Sequence, residues 1–131
     1  MALVPDCSPL GAPYWEGANR GELLIQKCGA CGAVWHPPLP ICPECGASSV
    51  SWVPASGRGK VFSYTIVHVA AHPDFAERVP YVAALVELEE GPRLVADILD
   101  VEPDQVQVDM PVTVKFVSVA EGVTLPQFVP A

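Results

Sequence analysis

Between residues 81 and 89, Val82, Ala84, Val86 and Leu88 fall at every second position, the repeat of a β-strand. The residues between them, Tyr81, Ala83 and Leu85, are apolar as well, so this strand is apolar on both faces. One face fills a core, and the other needs cover from another module, from the tails or from a second protein. Runs rich in β-branched and aromatic residues at 60–69, 93–99 and 112–119 predict three more strands. Glu90-Gly91-Pro92 joins the second strand to the third at hairpin distance. Two short apolar segments, 50–53 and 123–128, compete for a fifth strand, and 102–106 predicts one helical turn. Short strands, turn signals and no long helix predict a mostly β chain with a small closed barrel.

Before residue 54 the pattern differs. Residues 1–10 read as a loose lead-in. A short helix is predicted at 12–21, with Pro13 near its start and Gly21 at its end. Gly17 counts against that helix. Tyr14 and Trp15 would anchor it by packing on something apolar. Residues 23–28 predict a strand, and 33–41 predict an extended linker stiffened by Pro37, Pro38 and Pro40. Ser56-Gly57-Arg58-Gly59 is turn chemistry at the change of character. This divides the chain into a unit at 1–53 and a barrel at 54–131.

The strongest motif lies in the first unit. Cys28-Gly-Ala-Cys31-Gly32 is followed, ten residues later, by Cys42-Pro-Glu-Cys45-Gly46. Each Cys-x-x-Cys turns tightly enough for both sulfurs to face one ion, and two of them supply a tetrahedron of thiolates. Four sulfurs leave no open coordination position, so the expected role is structural zinc; iron accepts the same ligands. A module of about 40–50 residues needs such support, because its own core is too small. His36 could replace a sulfur, but four already suffice. Cys7 reads as a free thiol.

Charge then limits the partners. The 131 residues carry a net charge of −8. The seven bases, Arg20, Lys27, Arg58, Lys60, Arg78, Arg93 and Lys115, are scattered, and the stretch from Glu87 to Asp109 holds eight acids against Arg93 alone. Such a surface repels a phosphate backbone. A nucleic-acid-binding barrel, with Phe62 and Tyr64 as stacking platforms, is the competing reading. Charged residues make up 17 % of the chain, against about 25 % in ordinary domains, which points to apolar surface meeting a partner. With no basic-then-apolar leader and no apolar run of membrane-spanning length, the expected location is the cytoplasm.

No catalytic constellation stands out. His68 and His72 are four apart, but Val-Ala-Ala lies between them and Pro73 follows, where a strand gives way to a loop. Asp74 and Glu77 read as solvated acids. Nucleophile-elbow, phosphate-loop and dinucleotide fingerprints are missing.

Taken in order, Trp15, Gly21-x-Leu23, Gln26-x-Cys28-x-x-Cys31, Pro37-Pro38, Cys42-Pro-x-Cys45-Gly46, Gly57-x-Gly59-x-Val61, Pro80-Tyr81, Leu88 with Gly91, and Phe128-x-Pro130 form a familiar series. From about Pro13 to Pro130 the chain resembles the family that joins a rubredoxin-like zinc ribbon to a carboxyl-terminal OB-fold and accompanies thiolase-superfamily enzymes. Members accompany acetoacetyl-CoA thiolase and hydroxymethylglutaryl-CoA synthase in archaea, or bacterial aldolases and thiolases that shorten steroid side chains or degrade aromatic compounds. Some are fused to an acyl-CoA hydratase domain. One departure is Asp109, where members often carry Gly.

The resemblance implies a non-catalytic subunit, two copies per thiolase dimer, supporting acyl-CoA handling without contributing catalytic groups. An obligate interface of that kind buries upwards of about 2,000 Å². Acyl-CoA crossing near the boundary needs cations for its phosphates. Arg58, Lys60, Arg78 and Arg93 are the candidates, with a solvated surface base the alternative for each.

Overall fold

A computed structural model of the chain describes residues 9–70, 72–73 and 76–131; Cys7 and Asp74 lie outside them. A 3-10 turn, Pro9–Gly11, leads into α1 (Ala12–Asn19). Pro13 sits in the first turn, where its missing N–H is not needed. Gly17, a poor helix former, is there for packing: a Cβ would stand 2.8 Å from the Leu24 side chain. The helix thus lies directly on the strand that follows.

That strand, β1 (Leu24–Cys28), runs between β2 (Val34–Trp35) and β3 (Val50–Pro54), antiparallel to both. The start of the expected linker is therefore itself a strand, paired through Gln26↔Trp35. Residues 50–53 belong to this sheet, through Ile25↔Val53 and Lys27↔Ser51, and not to the barrel.

Five strands close the barrel: β4 (Arg58–Val67), β5 (Tyr81–Leu88), β6 (Arg93–Ile98), β7 (Pro111–Ala120) and β8 (Val123–Pro130), in the order β4-β5-β6-β8-β7. The fifth strand is thus the 123–128 segment, extended to Pro130. It meets β6 in parallel at Ile98↔Phe128 and β7 antiparallel along its length. The first barrel strand starts and ends two residues earlier than its composition suggests, leaving His68 and Val69 beyond it. The turn expected at 102–106 is a 3-10 turn, Pro103–Gln105.

Two glycines make closure possible. Gly57 has φ 82°, and a Cβ there would meet Val114 Cγ1 at 2.6 Å. At Gly59 a Cβ would stand 2.5 Å from the Glu87 carbonyl oxygen, so β4 and β5 could not approach.

Val82, Ala84, Val86 and Leu88 all point inward, with Val61, Leu94, Ile98, Val112 and the fully buried Phe128. Tyr14, Leu23 and Ile25 belong to the same buried cluster, so the amino-terminal unit and the barrel share one core. Asn19 Nδ2 also donates to the Gly122 carbonyl at 2.8 Å, tying α1 to the β7–β8 turn. On the outer face Tyr81, Ala83 and Leu85 are half-buried, while Val95 is 76 % exposed. Among the described residues no helix is long and apolar enough to cross a membrane.

Candidate functional site

The two Cys-x-x-Cys turns face each other. Cys28 ends β1 and Cys31 lies in the turn after it; Cys42 and Cys45 follow the proline-rich linker. The four sulfurs lie within 4.8 Å of one another, with Cys28 Sγ to Cys45 Sγ and Cys31 Sγ to Cys42 Sγ both 3.6 Å. A Zn–S bond of about 2.3 Å in a regular tetrahedron sets sulfurs about 3.8 Å apart, so the cluster fits such an ion. The separation is far beyond a disulfide bond of about 2.05 Å.

The backbone prepares these sulfurs for charge. Ala30 and Cys31 donate their N–H groups to Cys28 Sγ at 3.3 and 3.4 Å; Glu44 and Cys45 donate to Cys42 Sγ at 3.4 and 3.5 Å. Each turn closes on a glycine, Gly32 N–H to the Cys28 carbonyl and Gly46 N–H to the Cys42 carbonyl, both 3.0 Å. Those glycines have φ 78° and 76°, left-handed values that other residues resist. The Cys31 and Ala30 amides outweigh burial and bring the Cys28 thiol down to about 6. The Ala33 amide pulls Cys31 down too, but the surrounding Cys42, Cys45 and Cys28, with burial, push it up to about 12. Thiols this close resist full ionisation together, which is what a shared cation relieves.

Gln26 holds the linker onto this framework. It is buried, and its Oε1 accepts from Trp35 Nε1 and from the Leu39 backbone N–H, both at 2.6 Å. His36 stands away from the sulfurs, its ring 5.1 Å from that of Tyr14.

The four candidate cations do not converge. Arg58, Lys60 and Arg93 lie at one end of the β4-β5-β6 surface, interleaved with acids. Arg58 pairs with Glu89 at 3.0 Å, Lys60 with Asp109 at 3.6 Å and Glu87 at 3.9 Å, and Arg93 with Glu87 at 2.9 Å. Arg58 and Lys60 also line a cavity of about 400 Å³ with Gly59, Leu88, Pro111 and Val112. Arg78 lies toward the other end of β6, paired with Asp97 and set over the Tyr81 ring. As for the competing reading, the Arg93 guanidinium sits 3.7 Å from the Phe62 ring centroid, covering the ring a base would stack on.

Asp109 has φ 70°, so this position takes the left-handed conformation a glycine would favour; the turn forms with Asp at a backbone cost.

With this geometry in view, comparison with known proteins is specific. Residues 15–51 match the family described as "ChsH2, rubredoxin-like zinc ribbon domain", and residues 52–117 the family described as "ChsH2, C-terminal OB-fold domain". A "probable enoyl-CoA hydratase alpha subunit" of Thermomonospora curvata is 43 % identical over 118 residues, 90 % of this chain but 36 % of that protein. This chain therefore spans about a third of that relative. A "DUF35 domain-containing scaffold protein" of Methanocaldococcus jannaschii is 41 % identical, over 82 % of this chain and 77 % of the relative. Among solved structures, a chain of "Ltp2-ChsH2(DUF35) aldolase" is 41 % identical and superposes with a TM-score of 0.88, over 96 % of this chain and 98 % of that one. The chain belongs to the ChsH2/DUF35 family of zinc-ribbon and OB-fold proteins.

Proposed function

We propose that this chain is the non-catalytic companion subunit of a thiolase-superfamily enzyme that works on acyl-CoA, two copies serving one enzyme dimer. The observation that carries the reading is the full-length likeness to a chain of an aldolase complex. The outer barrel surface agrees with it: a chain this poor in charge, with Val95 and Tyr64 exposed, has apolar area to commit to a neighbour.

In this reading the four cysteines hold zinc. An ion saturated by sulfur has no position for water or substrate, so it shapes the ribbon and takes no part in chemistry. Arg58 and Lys60 are the side chains proposed to meet the CoA phosphates. Their ion pairs are exposed, and exposed pairs are worth about 1 kcal/mol or less, so a phosphate can take over from Glu89 or Asp109. Arg78, engaged by Asp97 and stacked on Tyr81, is the least available of the four.

The test is co-expression with a thiolase-superfamily subunit encoded beside this chain, followed by size exclusion and an acyl-CoA cleavage assay. Co-elution, with activity dependent on this chain, is the expected result. An enzyme equally soluble and active alone would sink the companion reading, and turnover by this chain alone would sink the non-catalytic one.

A further inference from the structure

A cavity of about 350 Å³ opens where α1, the proline-rich linker and β6 meet. Its walls are Leu10, Tyr14, Trp15, His36, Pro37, Pro38 and Val95. No ionised side chain lines it, in a chain of net charge −8. Burial pushes His36 down from its ordinary value, which keeps the imidazole neutral at neutral pH.

Two polar groups in these walls have no partner from the described protein. Tyr14 is 8 % exposed, yet among the described residues neither its hydroxyl nor the His36 ring has a hydrogen-bond partner. No side-chain polar atom is sealed off unsatisfied, so both reach accessible space. A nearly buried phenol in the wall of an apolar recess can exchange solvent for a protein acceptor. Beyond the rim, Val95 also borders a shallow groove of about 310 Å³ over Ser63, Thr65 and Leu85. The apolar surface thus continues from the pocket across the outer barrel, further than a small ligand would reach.

We infer that this pocket receives an uncharged apolar side chain of the partner enzyme, whose adjoining backbone carbonyl accepts a hydrogen bond from Tyr14 Oη. The inference rests on the companion reading and adds where the partner is gripped. Uncharged walls exclude a Lys, Arg, Asp or Glu anchor, which would lose its hydration unpaired. Trp15 and the two prolines offer the flat apolar faces on which an aromatic, prolyl or leucyl anchor packs, and such a buried anchor carries much of an interface's energy.

Tyr14→Phe and Val95→Glu test it, with Val108→Glu as a control at an exposed valine outside both cavities. Titration of the thiolase-superfamily subunit, followed by calorimetry, gives the Kd of each. Because the Tyr14 hydroxyl has no protein partner among the described residues of the free chain, Tyr14→Phe should leave the free chain's Tm unchanged or higher, while Kd rises about 2- to 10-fold. Val95→Glu should raise Kd tenfold or more, and Val108→Glu should not. Wild-type binding with all three variants equal to it would overturn the inference and leave the companion reading standing. Loss of free-chain stability in Tyr14→Phe would also overturn it, by showing the hydroxyl already engaged. Failure of the wild type to bind would remove both readings.

Discussion

Replacing Gln26 by Leu tests how the linker is held. The side chain is 2 % exposed, and its one amide oxygen takes both the Trp35 indole N–H and the Leu39 backbone N–H. Leucine fills similar volume and accepts neither. Each of the two stranded donors costs about 1–3 kcal/mol, and leucine's better burial offsets about 1 kcal/mol, so a net loss of about 1–5 kcal/mol is expected. Against a total stability of about 5–15 kcal/mol that is a large share. In urea, with a slope of about 2 kcal/mol/M, the midpoint should fall by about 0.5–2.5 M with the slope unchanged. Zinc content should stay near one per chain, because the sulfurs are untouched. Trp35→Phe removes one of the two donors without leaving the other unpaired. In the Gln26→Leu background it should therefore cost about 1 kcal/mol less than in the wild type. A Gln26→Leu loss below about 0.5 kcal/mol, or strictly additive losses, would refute this account of the linker.

Elemental analysis should find about one zinc per chain, and Cys28→Ser or Cys42→Ser should lose both metal and ribbon structure by circular dichroism, since binding energy in so small a module is folding energy. Asp109→Gly should raise stability by about 0.5–1 kcal/mol in thermal melts, because it relieves a φ of 70° and gives up only an exposed contact to Lys60. Burial raises Tyr14 to about 12, so the folded chain favours the neutral phenol. That stability is complete below the ordinary tyrosine value near 10 and is lost as pH rises through about 12; Tyr14→Phe should lose up to about 3 kcal/mol less across that range in denaturant melts.

The cysteine site was legible because ligand spacing is local: two residues between sulfurs and a glycine after each pair dictate the turn whatever surrounds it. Strand alternation in β5 was legible for the same reason, and its inward set is the one the two-residue repeat picks out. What the sequence left open was tertiary. Residues 50–53 and 123–128 look alike as short apolar runs, and only pairing shows that one edges the ribbon while the other closes the barrel. In the sequence the candidate cations stand out by charge alone. Their acids sit across strands, as in Lys60↔Glu87 and Glu87↔Arg93, and a linear reading does not contain that register. Gln26 was visible as part of a motif, but its purpose appears only when the linker folds back over β1.

The last of the barrel's strands in chain order, β8, lies between β6 and β7 and against α1. As the chain leaves the ribosome, the cysteine turns are complete some eighty residues before Phe128 emerges to fill the core. The ribbon can therefore be metallated while the barrel is still an open sheet with an unpaired edge, the form most exposed to aggregation. Contacts such as Asn19 to Gly122 span 103 residues, and closing loops that long is slow. During this interval the nascent protein would present the inward faces of β5 and β6 to its surroundings. Its yield in cells would then depend on how fast the last strand is delivered, as well as on how stable the finished fold is.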